Sequence, residues 1–451
     1  MPDDDLQTTD EPRERFIPIS RQEIVADLLA APHWSPEDKQ QFEEFCQIFT
    51  ALYHYKFHAH LEELKRCYTP FNPDSDIVST HDYSKEEQQQ LRDTLNEEMC
   101  QLLNNANYEE MTIDELNRAI SADSFYGVNV SVDLEDFERL IVYYRGSAIE
   151  VKYVRDWKKL FLSQKPIEIP IYKRMFLLMK FKTQQELVQE RVGNWLKDKA
   201  DENQAKAEPV DEEKQAKLTA KLEKKATKQI QYSRQNLPED LTEDHVFLKL
   251  FKNIPRTDLE MLFPNQNVQL KLFDKIKLAV TGGGGTIGGV ISVFLKAASA
   301  NIFMFVGAVF GLVGIIFRQI MSIFTQRTKY MMTLSRNLYF HNLDNNFGVM
   351  NYLIDMAEEE EGKEVILAYY FLHTMPEKNH TKEELDREIE RYIQHKYGVA
   401  IDFEVDDGLR KLREEGVLTE QAGILKVLDL QKASACLDKQ WDNFFNPDDG
   451  H

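Results

Sequence analysis

Between residues 278 and 317 the chain carries one charge, Lys296. The uncharged stretch before it, 278–295, is 18 residues long, and the one after it, 297–317, is 21. At about 1.5 Å per helical residue the shorter stretch covers roughly 27 Å, close to a hydrocarbon core of about 30 Å. The pattern predicts a two-helix transmembrane hairpin over 278–325, turning at Lys296, with soluble parts on either side. The first stretch contains six glycines, each costing an aqueous helix roughly 1 kcal/mol. A kinked helix, or one that only dips into the bilayer, is therefore an alternative form of the same hairpin.

A second use of the same residues is chemical. Gly283, Gly285 and Gly288 fit G-x-G-x-x-G after an apolar run, as in a dinucleotide-binding turn. That fold requires an acidic residue about twenty positions later to hold the ribose. None stands between Lys275 and Leu343, and no Gly-Lys-Ser/Thr follows to make a phosphate loop. No cofactor is expected. Small residues suit close helix contact better. Gly284 with Gly288, Gly285 with Gly289, and Gly307 with Gly311 each give the G-x-x-x-G spacing by which membrane helices approach. The expected partners are accordingly the lipid bilayer and a protein partner or second copy held through the hairpin. Lys271, Lys275 and Lys277 precede the stretch, and Arg318, Arg327, Lys329 and Arg336 follow it. The positive-inside rule then puts both flanks on one side, with both termini cytoplasmic in a bacterial inner membrane, or in a mitochondrial membrane if the source is eukaryotic.

The formal net charge of -21 argues against nucleic acid as a partner, because an acidic surface repels phosphate. Residues 1–14 are acidic and lack an apolar core, so they read as a disordered N-terminus and not as a signal peptide. Cys46, Cys67, Cys100 and Cys436 show no C-x-x-C spacing and are expected as reduced thiols.

Capping signals mark the helices. Ser20 with Glu23, Ser84 with Glu87 and Thr112 with Glu115 form capping boxes, and Ser35-Pro36-Glu37 opens a long helix to about Cys67. On that helix His54, His58 and Glu62 recur every four residues, a spacing that could turn two imidazoles and a carboxylate toward a metal. Without a second donor cluster, packing or solvent exposure explains them equally simply, and no metal is expected. Segments 128–132, 137–144, 167–171 and 175–181 are rich in β-branched and aromatic residues and predict a small antiparallel sheet. The sequence thus divides into an α+β domain over 15–182, a charged flexible or helical insertion over 183–239, and a return strand with a pre-membrane segment over 240–277. After the hairpin come a helical segment over 326–380 and an acidic C-terminal module over 381–451. In that module two helices, a hairpin and a final helix give a winged-helix-like order. Residues 342–451 hold 25 acidic and 12 basic side chains, which suits protein contact better than DNA. Asp344 and its neighbouring asparagines are expected to cap a helix from about Phe347, with Glu358–Glu361 as a solvated helix end. The fold class expected is mainly α with a small antiparallel sheet, plus the hairpin.

Several motifs, taken jointly, resemble a family of two-span membrane proteins that includes mammalian transmembrane protein 143. They are ERFIPISR with Glu14 at its head, YTPFNPDSD at 68–76, VYYRG at 142–146, PIYKRMFLLMKFK at 170–182, LKLFKNIPRTDLEMLFP at 248–264 and LYFHNLDNN at 338–346. The resemblance implies an integral membrane protein and carries over no catalytic residues. The function expected is a membrane-anchored scaffold or regulatory interaction protein, more simply non-enzymatic; the alternative is an oligomeric transport or pore component.

Overall fold

The computed structural model describes residues 13–74, 81–120, 129–155, 164–204, 212–234, 244–265, 267–269 and 338–444, with isolated positions in 310–332. In chain order these form α1 (Arg21–Leu29), α2 (Pro36–Tyr68), α3 (Lys85–Asn105), β1 (Glu109–Glu110), α4 (Ile113–Ile120), β2 (Asn129–Ser131), β3 (Phe137–Arg155) and β4 (Gln164–Phe181). Then come α5 (Gln184–Gln204), α6 (Glu212–Arg234), β5 (Val246–Pro255), β6 (Asn267–Gln269), β7 (Asn342–Asn345) and α7 (Phe347–Thr374). The chain closes with α8 (Lys382–Tyr397), α9 (Val405–Glu414), the hairpin β8 (Leu418–Gln421) and β9 (Ile424–Val427), and α10 (Leu430–Asn443).

Local chemistry accounts for the helix starts. Ser84 and Glu87 exchange reciprocal bonds, as do Thr381 and Glu384, and Ser35 accepts from the Asp38 amide. Each satisfies an amide that a helix end would otherwise leave orphaned.

The sheet runs β1-β3-β4-β5-β7, antiparallel throughout. Alternation divides its central strands between two cores. Ile141, Tyr143, Phe176, Leu178, Leu248 and Leu250 join the main core with α2, α3 and α7. Val142, Met175, Leu177, Met179 and Phe251 face the other way, onto α4 and the 3-10 turn Leu259–Leu262. The main core continues without a break through Leu385, Leu409, Leu425 and Leu437, so the C-terminal helices and their hairpin pack on α7 and α2. Helices α5 and α6 pair through Leu187, Val192, Leu222, Ala226 and Ile230.

The expected fold class is corrected on two points. The sheet is a five-stranded spine whose two longest strands have 19 and 18 residues, so the fold is mixed α/β and not mainly α. Second, among the described residues no helix is long and apolar enough to cross a membrane. Of the longest, α2 has charges throughout, and α7 carries Glu358–Glu361, Lys363 and Glu364 in mid-helix. The two-helix transmembrane hairpin is therefore not found, and the placement in a bacterial or mitochondrial membrane loses its basis. Residues 278–309 and most of 310–325, with Gly284, Gly285, Gly288, Gly289, Gly307 and Gly311, lie outside the described residues. So do residues 1–12.

Candidate functional site

The acidic run of α7 is not a solvated helix end. The helix continues to Thr374, and Glu360, Glu361, Lys363 and Glu364 are only 2–4% exposed. Four parts of the chain supply their partners. From β3, Arg145 Nη2 donates to Glu360 Oε1 at 2.5 Å, its guanidinium lying 4.2 Å from the centre of the Phe16 ring. The N-terminal segment places the Ile17 amide 3.2 Å from Glu360 Oε2, and Lys363 Nζ spans Ile17 O at 2.6 Å and Glu360 Oε1 at 2.8 Å. From α9, Lys411 Nζ lies 3.3 Å from both Glu361 Oε1 and Glu364 Oε2. The Asn107 amide donates to Glu364 Oε1 at 3.1 Å. Burial leaves carboxylates poorly solvated, and this outweighs the attraction of Lys411: Glu361 is raised, and Glu364 is pushed up to about 8.

Glycines make these approaches possible. A Cβ on Gly362 would sit 2.7 Å from the Arg21 guanidinium, which crosses α7 there toward Glu358 and Glu359. A Cβ on Gly408 would sit 3.0 Å from the Glu364 carbonyl, so α9 lies directly on α7.

Glu415, just past α9, extends the network. Its Oε1 accepts from Tyr53 Oη at 3.0 Å and Lys56 Nζ at 2.6 Å. Together, Tyr53, Lys56, Glu361, Arg410 and Lys411 line a cavity of about 230 Å³.

A second hub forms at Asn346. Its backbone sits at φ 50, a conformation that only a few non-glycine residues adopt. Asn346 Oδ1 accepts from Tyr68 Oη at 2.8 Å and from the Leu248 amide at 3.1 Å, while its Nδ2 donates to Asp74. The predicted helix does start at Phe347, but the preceding Asp344 and Asn345 pair as strand β7 and make no side-chain cap.

His54, His58 and Glu62 are not brought together. His54 Nδ1 faces Glu358 Oε2 at 2.9 Å, Glu62 accepts from Lys65 at 3.0 Å, and His58 is exposed. Among the described residues no group of three His, Cys, Asp or Glu could hold a metal ion. The four cysteines are free. Three lysines of the sheet region are paired: Lys173 with Glu14, Lys180 with Glu138 and Lys182 with Glu190.

Sequence reasoning missed Arg145, Lys411, Tyr68 and Asn346 as network residues. One signal was available: the acidic run is flanked on both sides by apolar sequence and interrupted by Gly362 and Lys363, which a solvated terminus does not require.

Residues 137–348, 212 of the 451, match the family described as Protein of unknown function (DUF3754). The matched span holds β3, β4, β5 and β7, including Arg145 and Asn346, and ends at the start of α7. No solved structure matches the chain.

Proposed function

We propose that this chain is a scaffold or regulatory interaction protein that holds a protein partner on the outer half of the β3–β4 ribbon. One observation carries the proposal. Ile149, Val151 and Tyr153 alternate along one face of β3 and are 65%, 47% and 67% exposed. Among the described residues β3 pairs here only with β4, because β5 reaches β4 no further than Ile171 and β1 reaches β3 no further than Tyr144. A two-stranded ribbon is marginal by itself in water, and a contiguous apolar row on it marks a contact surface. Kinship with the family that includes transmembrane protein 143 belongs to the same reading. The motifs behind it supply Glu14, Arg145 and Lys173, which anchor the ribbon's base, and Tyr68 and Asn346, which tie β5 to α2. The pore alternative rested on the membrane hairpin and has nothing further to support it.

The test is a full-length variant with Ile149, Val151 and Tyr153 all changed to serine, compared with wild type by light scattering on a sizing column and by crosslinking in native extract. Loss of a defined crosslinked partner or of self-association, with the circular dichroism spectrum retained, is the expected result. Identical partners and identical mass would remove the ribbon as the contact face.

A further inference from the structure

We propose that the cleft between α3 and the β3–β4 strands binds the phosphate group of a small ligand. It encloses about 300 Å³ and is lined by three cations, Arg92, Arg139 and Lys180, beside the carboxylates of Asp93, Glu97 and Glu138. Two features of the sheet suit an anion there.

Arg139 and Lys180 are direct cross-strand partners. Like charges placed opposite each other on an antiparallel pair oppose pairing unless an anion lies between them. The register shifts between Phe137 and Arg139, leaving Glu138 as the extra residue of a β-bulge, and Glu138 is aimed at Lys180. The bulge thus neutralises one of the two cations and leaves the other. Among the described residues Arg139 pairs with no carboxylate.

Among the described residues Arg92 is the second cation here with no carboxylate partner. Its guanidinium stacks 5.3 Å from the centre of the Phe71 ring, and Nη2 donates to Gln89 Oε1 at 2.9 Å. Its Nε is buried with no hydrogen-bond partner among the described residues. Asp93 also lines the cleft, but it is already engaged by the Gln89 amide at 2.9 Å. That bond leaves its carboxylate charged, so Asp93 and Glu97, both exposed, are the opposing charges beside the two arginines. Two arginines with donors to spare match the oxygens of a phosphate monoester, which guanidinium groups bind in bidentate fashion.

The test uses the full-length protein and two probes, inorganic phosphate and phenyl phosphate, titrated calorimetrically at constant ionic strength. Saturable binding near one site per chain is expected, weakened at least tenfold in Arg139→Gln and in Arg92→Gln, and tightened in Glu97→Gln. Arg139 is exposed, so its variant reads binding and not folding; matched circular dichroism spectra verify this for all three. Stronger binding of phenyl phosphate assigns the site to an organic phosphate, and equal binding assigns it to the free anion; either result supports the proposal. No saturable binding of either probe, or wild-type affinity in either arginine variant, would overturn it.

Discussion

Arg145 Nη2 lies 2.5 Å from Glu360 Oε1 although 215 residues separate them in sequence, and both side chains are almost fully buried. The pair ties strand β3 to the middle of α7. Glu360 accepts in the same place from Lys363 and from the Ile17 amide, so one carboxylate gathers the N-terminal segment, the sheet and the central helix.

Removing Arg145 leaves Glu360 with Lys363 as its remaining cation and opens a gap beneath Phe16. Loss of one member of a buried ion pair typically costs about 3–5 kcal/mol. Arg145→Ala is expected to lower unfolding stability by that order in a urea titration, and a change below about 1 kcal/mol would show that the network contributes little.

Gly146 tests the seat of the N-terminal segment. Its φ is +67, and a Cβ there would meet Glu14 Oε2 at 2.7 Å and the Phe16 ring at 2.8 Å. Gly146→Ala therefore strains the backbone and displaces Glu14 from Lys173. Faster proteolytic cleavage between residues 13 and 20 than in wild type is the expected outcome. Equal cleavage rates would mean that the segment is held elsewhere, for instance by Arg15 on Glu404.

Glu364 gives a pH dependence of known sign. Its folded-state pKa, about 8, lies above its ordinary value of 4.5, so between those limits the folded protein binds more protons than the unfolded chain. Its contribution to stability is full below pH about 4.5 and falls as pH rises toward 8. Glu361 and Asp386 are also raised, so the comparison of two proteins isolates Glu364. Between pH 5 and 8, denaturant titrations should show stability falling less steeply in Glu364→Gln than in wild type. Parallel curves would place the proton elsewhere.

Much of the local structure was legible in sequence. Ser84 with Glu87, Thr112 with Glu115 and Ser35 with Pro36 mark helix starts because a helix end must satisfy its own amides with nearby side chains. The strands were shorter in prediction than in fact. β3 and β4 continue through residues such as Glu150 and Glu168, which are polar but held by cross-strand pairing. The same limit misled the reading of Glu358–Glu361, where composition suggested water.

Sequence by itself determined what depends on neighbours along the chain: the caps, the helical and alternating periods and the acidic balance of 342–451. Tertiary structure alone decided which charges are buried. Glu360 finds Arg145 and Ile17, Glu364 finds Asn107 and Lys411, and Asn346 finds Tyr68, Asp74 and Leu248 across intervals of 47 to 343 residues. The reason is physical. A carboxylate's solvation depends on everything packed around it, and a linear pattern of residue types does not specify which distant donors the folded chain will bring within hydrogen-bonding reach of it.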